Sequence, residues 1–301
     1  MKRIHTTGTL ECVKHAPTLT PPSTCGMAGR TERKGGVMYQ VRRKTISNYS
    51  RFYKDAGCSY LVTTNNAKTL KGEGYLTSII HLSPHKLAGV EVDGKRISVC
   101  ERATPECIGA CLNGSGHTEM RMNKLGVNSD PARDARTRLL FSNPDKFKEL
   151  VVRELDANAR KAKREGLIHV IRPNGTSDIL WEKVFPELFD LFPQVYDYTK
   201  YNPEERIVPS NYDLTYSCNG DVERTEGLLA NGHRVAKVFG LVKGQALPDT
   251  WRGFKVLDGD LDDLTFTKPK GVVLGLRIKG QRNKAKLKVG KLKLGKFIAA
   301  A

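Results

Sequence analysis

The chain has 301 residues, 39% of them hydrophobic, and 50 Lys/Arg against 32 Asp/Glu leave a net charge of +18. That suffices for one large α/β domain with extensions or for two ordinary domains. No run approaches the ~20 apolar residues of a membrane span, and MKRIHTTGTLECVKHAP has no apolar signal stretch, so a soluble, cytoplasmic protein without a membrane partner is expected.

Residues 1–57 carry eleven Lys/Arg against three acids, and residues 281–301 carry seven against none, so these ends hold 15 of the 18 excess charges. The span 58–280 is close to neutral. This divides the chain into a basic N-terminal arm (1–57), an α/β domain (58–280) and a Lys-rich C-terminal tail (281–301). Basic arms usually meet polyanions, most often nucleic acid, although a solubilising role gives the same composition. Seven cysteines, an odd number without a secretory signal, argue against a disulfide framework.

In chain order, 1–57 lacks lasting periodicity, with one short helix or strand expected near MYQVRRKTI. NNAKTLKGEGY (65–75) is basic and Gly-containing, with Lys68 and Lys71 placed to meet phosphate, but it lacks the P-loop pattern and an exposed turn is as good a reading. GYLTSIIHL (74–82) reads as a strand. Asn143 and Pro144 open a helix with Phe147, Leu150, Val151 and Leu155 on one face, ended by Gly166. LIHVIRP (167–173) is a buried strand, WEKVFPELFDLF (181–192) a short helix and VYDYTK (195–200) a strand. YDLTYSC (212–218), RVAKVFG (234–240), FKVLDG (254–259) and GVVLGLRIKG (271–280) are further strands, with no obvious helix between 200 and 280. The expected fold is α/β, a partial or degenerate (β/α) barrel-like parallel sheet. KAKLKVGKLKLGK alternates Lys with apolar residues, so Lys284, Lys286 and Lys288, continued by Lys291 and Lys293, form the basic face of a strand or a disordered tail.

Working residues in parallel α/β folds gather at the carboxyl ends of the strands. Here these are Arg172, Asn174, Thr176, Ser177, Asp178, Thr199, Lys200, Cys218, Asn219, Asp258, Asp260 and Lys279. Arg172, Lys200 and Lys279 suit an anion, and the aspartates suit acid–base work or a hard cation. Taken singly, Asp258-Gly259-Asp260 is a turn and Asp178 a helix cap. In CERATPECIGACLNGSGH (100–117), Cys100, Cys107 and Cys111 with His117 can complete a zinc site, and the three thiolates alone can hold an iron–sulfur cluster. The competing reading buries Cys107 and Cys111 on one face of a short helix. Tyr196 and Lys200 have the spacing of the HUH endonuclease tyrosine motif, but no His-apolar-His pair accompanies them.

NNAKTLKGEGYLTSIIHLSP, CERATPECIGACLNGSG, ARDARTRLLF, IRPNGTSDILWE, YDYTK and GVVLGLRIKG, in that order, resemble the phage Gene product 88 family over roughly residues 60–280. The resemblance implies a phage or phage-like source and action inside the host cell. The cysteine block, the Asn-Gly-Thr-Ser-Asp turn and Tyr-Thr-Lys also look distantly like radical-SAM-like phage proteins with partial barrels. The cysteine spacing departs from the radical-SAM pattern, which puts S-adenosylmethionine in doubt. Gly114-Ser115-Gly116 stands where the family often has Gly-Arg-Gly.

Three functions follow as expectations. One is an enzyme acting on nucleic acid or nucleotides with a Cys-bound Zn2+ or iron–sulfur cluster. The second is a non-catalytic nucleic-acid-binding accessory factor for replication or DNA metabolism, and the third, ranked low, a structural virion protein.

Overall fold

The computed structural model describes residues 57–292 and 294–300, the side chain of His117 excepted. Its elements in chain order are β1 (Val62–Thr63), β2 (Tyr75–Ile80), β3 (Glu91–Val92), β4 (Lys95–Arg96), α1 (Pro105–Gly109) and α2 (Gly116–Leu125). Then come α3 (Pro131–Ser142), α4 (Pro144–Arg164), β5 (Ile168–Arg172), α5 (Trp181–Val184), α6 (Glu187–Leu191), β6 (Val195–Thr199), β7 (Tyr212–Ser217) and α7 (Val222–Ala230). The chain closes with β8 (Val235–Phe239), β9 (Thr250–Trp251), β10 (Phe254–Asp258), β11 (Val273–Arg277), α8 (Gln281–Lys288) and β12 (Ile298–Ala299).

Ten strands form one sheet in the order β1-β2-β5-β6-β7-β8-β11-β10-β9, with β12 added beside β8. The path from β2 to β10 is parallel throughout, and the short antiparallel strands β1 and β9 form its edges. The fold is therefore mixed α/β with a mostly parallel sheet that is open. Parallel strands need long crossovers that cover the sheet, which explains the near-continuous apolar runs of β5, β8 and β11.

Helix α4 shows how the sequence makes this packing. Asn143 accepts a hydrogen bond from the Lys146 amide at 3.2 Å, and Pro144 occupies a first-turn position whose missing N–H costs nothing. Phe147, Leu150, Val151 and Leu155 are fully buried in a core with Ile80, Ile171, Trp181 and Val195. Gly166, at φ 68°, turns the chain so that the Leu167 amide reaches the Ala162 carbonyl at 2.8 Å. The other face of β5 and β6 carries Val170 and Tyr196, packed with Leu264 from the β10–β11 connection.

Three expectations are corrected. WEKVFPELFDLF is two short helices rather than one, because Pro186 lacks an N–H and interrupts the ladder. The span 200–280 contains a helix, α7, opened by Asp221, which accepts from the Arg224 amide at 3.1 Å. The expected Lys-faced strand over 284–288 is helix α8, whose Gln, Lys, Ala and Leu residues favour a helix. Its first two amides donate to the Glu119 carboxylate of α2 at 3.0 and 2.9 Å.

After Gly290 the chain returns to the sheet as β12. Residues 1–56, including MYQVRRKTI, and Lys293 lie outside the described residues, as does the His117 side chain. Among the described residues no helix is long and apolar enough to cross a membrane.

Candidate functional site

Side chains alternate across a strand, so Tyr196, Tyr198 and Lys200 emerge from one face of β6 and Asp197 from the other. On the first face the Arg172 guanidinium lies over the Tyr198 ring, 4.7 Å from its centroid, and pairs with Asp263. The Tyr198 hydroxyl donates to the same carboxylate at 3.2 Å. One residue beyond β6, Lys200 donates from Nζ to Ser217 Oγ at 3.0 Å. Its amide donates to Asp178 Oδ2 at 2.8 Å. Asp178 is thus a partner of Lys200, and the helix-cap reading falls.

The cysteine segment lies over this end of the sheet. It is tied down where the Asp178 amide donates to the Val99 carbonyl at 2.8 Å and where the Cys100 thiol meets the Thr176 carbonyl at 3.8 Å. Thr104 caps α1 by accepting from the Cys107 amide at 3.3 Å. Helix α8 braces the segment from outside: Asn283 donates to the Ala110 carbonyl at 3.2 Å and Lys286 to the Gly109 carbonyl at 2.8 Å.

The thiols of this segment and the Lys200 ammonium act on one another through their charges. Burial pushes the Cys100 thiol up to about 12, with Cys111 and Asp178 adding to the push and Lys200 opposing it. Burial also raises Cys111, which Cys107 reinforces and Arg133 and Lys200 oppose. Burial works against the Lys200 ammonium, but Cys107, Asp178 and Cys100 outweigh it and stabilise the charge. His81 is held well below the usual histidine range by burial and by Arg133, Arg172 and Arg136. The thiols are half-buried and lie near cationic side chains, which favour the thiolate while burial opposes it.

Other expected site residues have different duties. Asn174 is a buried hub: its Oδ1 accepts from Ser177 Oγ, the Ile179 amide and Trp181 Nε1 at 2.8–2.9 Å, while Nδ2 donates to Asp197 at 3.0 Å. Asn174 and Ser177 thus spend their polar atoms on the loop. Thr199 accepts from the Tyr201 amide, and Asn219 from the Asp221 amide and the Tyr216 hydroxyl. Cys218 lies on the sheet's other side, 3.3 Å from the buried Lys237 ammonium. Asp258 and Asp260 form the expected turn, with the Asp260 amide on Asp258 Oδ1 at 2.9 Å, and both pair with Arg277.

Lys68 and Lys279 converge on Asp260, Lys286 is engaged as above and Lys284 is half-buried, whereas Lys71, Lys288 and Lys291 are exposed.

The structure thus brings the cysteine segment, through Cys100, beside Asp178, Lys200 and Ser217, and gathers Lys68, Lys279, Asp258 and Asp260 in a charge cluster. Sequence reasoning missed His81, Arg133, Arg136, Tyr198 and Asp263. Arg133 and Arg136, three apart on α3, share a helical face, a signal legible in ARDARTRLLF. Asp263 comes from a connection that no periodicity marks. Among the described residues no group of three or more His, Cys, Asp or Glu side chains is arranged to hold a metal ion.

Comparison with curated proteins gives no match, and comparison with solved structures gives none. The family model described as Gene product 88 matches residues 60–290, which takes in the whole cysteine segment, the parallel strands from β2 to β11 and α8. The six motifs and this match over more than three quarters of the sequence establish that the chain belongs to the Gene product 88 family, a family of phage gene products.

Proposed function

We propose that this protein is an enzyme acting on a nucleotide or nucleic acid, with Cys100, Cys107 and Cys111 holding a metal or iron–sulfur centre above the carboxyl ends of β5, β6 and β7. The observation that carries this reading is the cysteine segment held over the strand ends, by the Asp178 amide on the Val99 carbonyl at 2.8 Å and the Cys100 thiol on the Thr176 carbonyl at 3.8 Å, beside the half-buried Lys200. The residue types suit such a centre, three half-buried soft thiols with Lys200 and Arg133 to offset thiolate charge, although the side chains would have to draw together to ligate it. With three thiolates, a cluster keeps one iron open to substrate, and zinc keeps one position for water or a fourth ligand.

In this reading Lys200 keeps the site positive and orients Ser217, while Asp178 fixes the Lys200 backbone. Arg172 and the neighbouring lysines favour a phosphate-bearing substrate, since guanidinium and ammonium groups match phosphate oxygens. Action within the host cytoplasm belongs to the same reading.

Metal analysis with an absorption spectrum on anaerobically purified protein tests the centre. Iron or zinc is expected in the wild type and is lost in Cys107→Ala. A metal-free wild type with three freely titrating thiols rejects it.

A second reading, a non-catalytic nucleic-acid-binding factor, draws on the exposed Lys288 and Lys291 and on the basic ends of the chain. Neutralised phosphates give a salt slope of roughly −0.9 per contact on duplex DNA. Lys288→Ala with Lys291→Ala then lowers that slope by about 2, while an unchanged slope removes this surface from the reading.

A further inference from the structure

The charge cluster at the ends of β10 and β11 contains a device that the thiol site does not use. Lys279 follows β11 and Lys68 precedes β2, yet both ammonium groups reach the same oxygen of Asp260, at 2.8 and 3.3 Å. The two nitrogens therefore stand within about 6 Å of each other. Lys68 also donates to the Gly259 carbonyl at 2.7 Å and lies 3.8 Å from Asp263. The remaining charges facing the pair are Arg277, on Asp258 and Asp260, and Arg172, on Asp263.

Four cations thus share three carboxylates, and one positive charge has no carboxylate of its own within the cluster. The Lys279 side chain is 35% exposed, against 19% for Lys68 and 18% for Asp260, so it is the member a ligand can reach. Burial and then the Lys68 charge weaken its ammonium to about 8, and Asp260 only partly restores it. Crowding by a second cation and partial burial are established ways of making a lysine nucleophilic.

We propose that Lys279 is a nucleophilic amine that captures the carbonyl carbon of a small aldehyde or ketone bearing an anionic group, which Lys68 receives. The Lys279 lone pair forms the new C–N bond as the C=O π pair moves to oxygen, and the nitrogen gives up a proton that the oxygen takes, leaving a carbinolamine. Loss of that hydroxyl as water leaves an imine whose protonated form is paired with Asp260. No oxidant or reductant is consumed. The substrate's anionic group supplies the charge that the cluster lacks. This inference needs neither the cysteines nor a metal, so its failure and that of the thiol-held centre are separable.

Pyridoxal 5′-phosphate, an aldehyde carrying a phosphate, is the probe. The full-length protein is mixed with it at limiting concentration, reduced with borohydride and mapped by peptide mass spectrometry. Lys279 is expected to label at least about tenfold faster than the exposed Lys71 and Lys288 at pH 7.5, with a pH midpoint near 8.

Lys279→Arg, which keeps the pair with Asp260, should abolish that label without changing the melting temperature. Lys68→Met removes the neighbouring cation, so the midpoint should move upward and the rate at pH 7.5 fall about tenfold. Labelling of Lys279 no faster than Lys71 and Lys288 overturns the proposal. So does a midpoint that Lys68→Met leaves in place. If Lys68→Met does not fold, the wild-type rates and Lys279→Arg decide alone.

Discussion

Lys200 is the residue on which the candidate site turns, because it meets the thiols, Ser217 and the backbone-binding Asp178 at once. Its charge lowers the proton affinity of Cys100 and Cys111. Lys200→Met should therefore push both thiols further up and slow alkylation by iodoacetamide at pH 8.5 by about threefold or more. An unchanged alkylation rate would mean that the ammonium does not act on the thiols. Gly175 is required for space: a Cβ there would lie 2.4 Å from His81 Nδ1 and 2.7 Å from Ile79 Cγ2. Gly175→Ala should cost about 1–3 kcal/mol in urea denaturation, since Ile79 is fully buried and His81 would have to swing away. The candidates were legible in the sequence because Arg172 and Lys200 end apolar runs and Asp178 lies in the polar turn that follows one. Their partners were not, because a hydrogen bond between residues such as Lys200 and Ser217 leaves no trace in spacing.

Among the elements, α4 was legible to within a residue because its signals are local: a cap, a first-turn proline, a 3.6-residue apolar stripe and a stop glycine. Leu150 and Leu155 lie at full burial on that stripe, so Leu150→Ala should cost about 2–5 kcal/mol, measured by denaturant unfolding. Helix α8 misled, because its alternating Lys and apolar residues match a strand while its helix propensity and its remote N-terminal cap point the other way. That cap, Glu119, is 162 residues from the Gln281 amide it accepts, and no reading of neighbours finds it. Glu119→Ala should lower the melting temperature and raise hydrogen exchange across both α8 and the cysteine segment, since α8 holds the latter through Asn283 and Lys286. Exchange confined to α8 alone would show that the brace carries no load.

Across the fold as a unit, one buried carboxylate links pH to stability. Asp197 is wholly buried between the sheet and the helices that cover it, and accepts from the Asn174 amide at 2.9 Å and the Tyr212 hydroxyl at 2.8 Å. Burial pushes its carboxyl up to about 7, against the pull of Arg172 and those donors. An unfolded aspartate titrates near ~3.9. Between about pH 4 and 7 the folded protein keeps a proton that the unfolded chain has released. This contribution is therefore full below pH 4, declines by on the order of 1 kcal/mol per pH unit through that window and levels off above 7. Urea curves at pH 5, 6, 7 and 8 for the wild type and Asp197→Asn check the sign. The substitution should remove most of the decline, and parallel profiles would assign it to other groups.

Strand and helix content, the parallel sense of the sheet and the cysteine segment's place before β5 were set by local chemistry: apolar runs bounded by turn residues, caps and stop glycines. Those forces act between neighbours in the chain, so one strand of letters is enough to read them. Three outcomes required the folded chain: the open order that puts β11 between β8 and β10, the docking of α8 on the cysteine segment, and the placing of that segment over the strand end that carries Lys200. Each depends on contacts between residues far apart in sequence, where burial changes the cost of a charge and only the closed geometry says which groups share it.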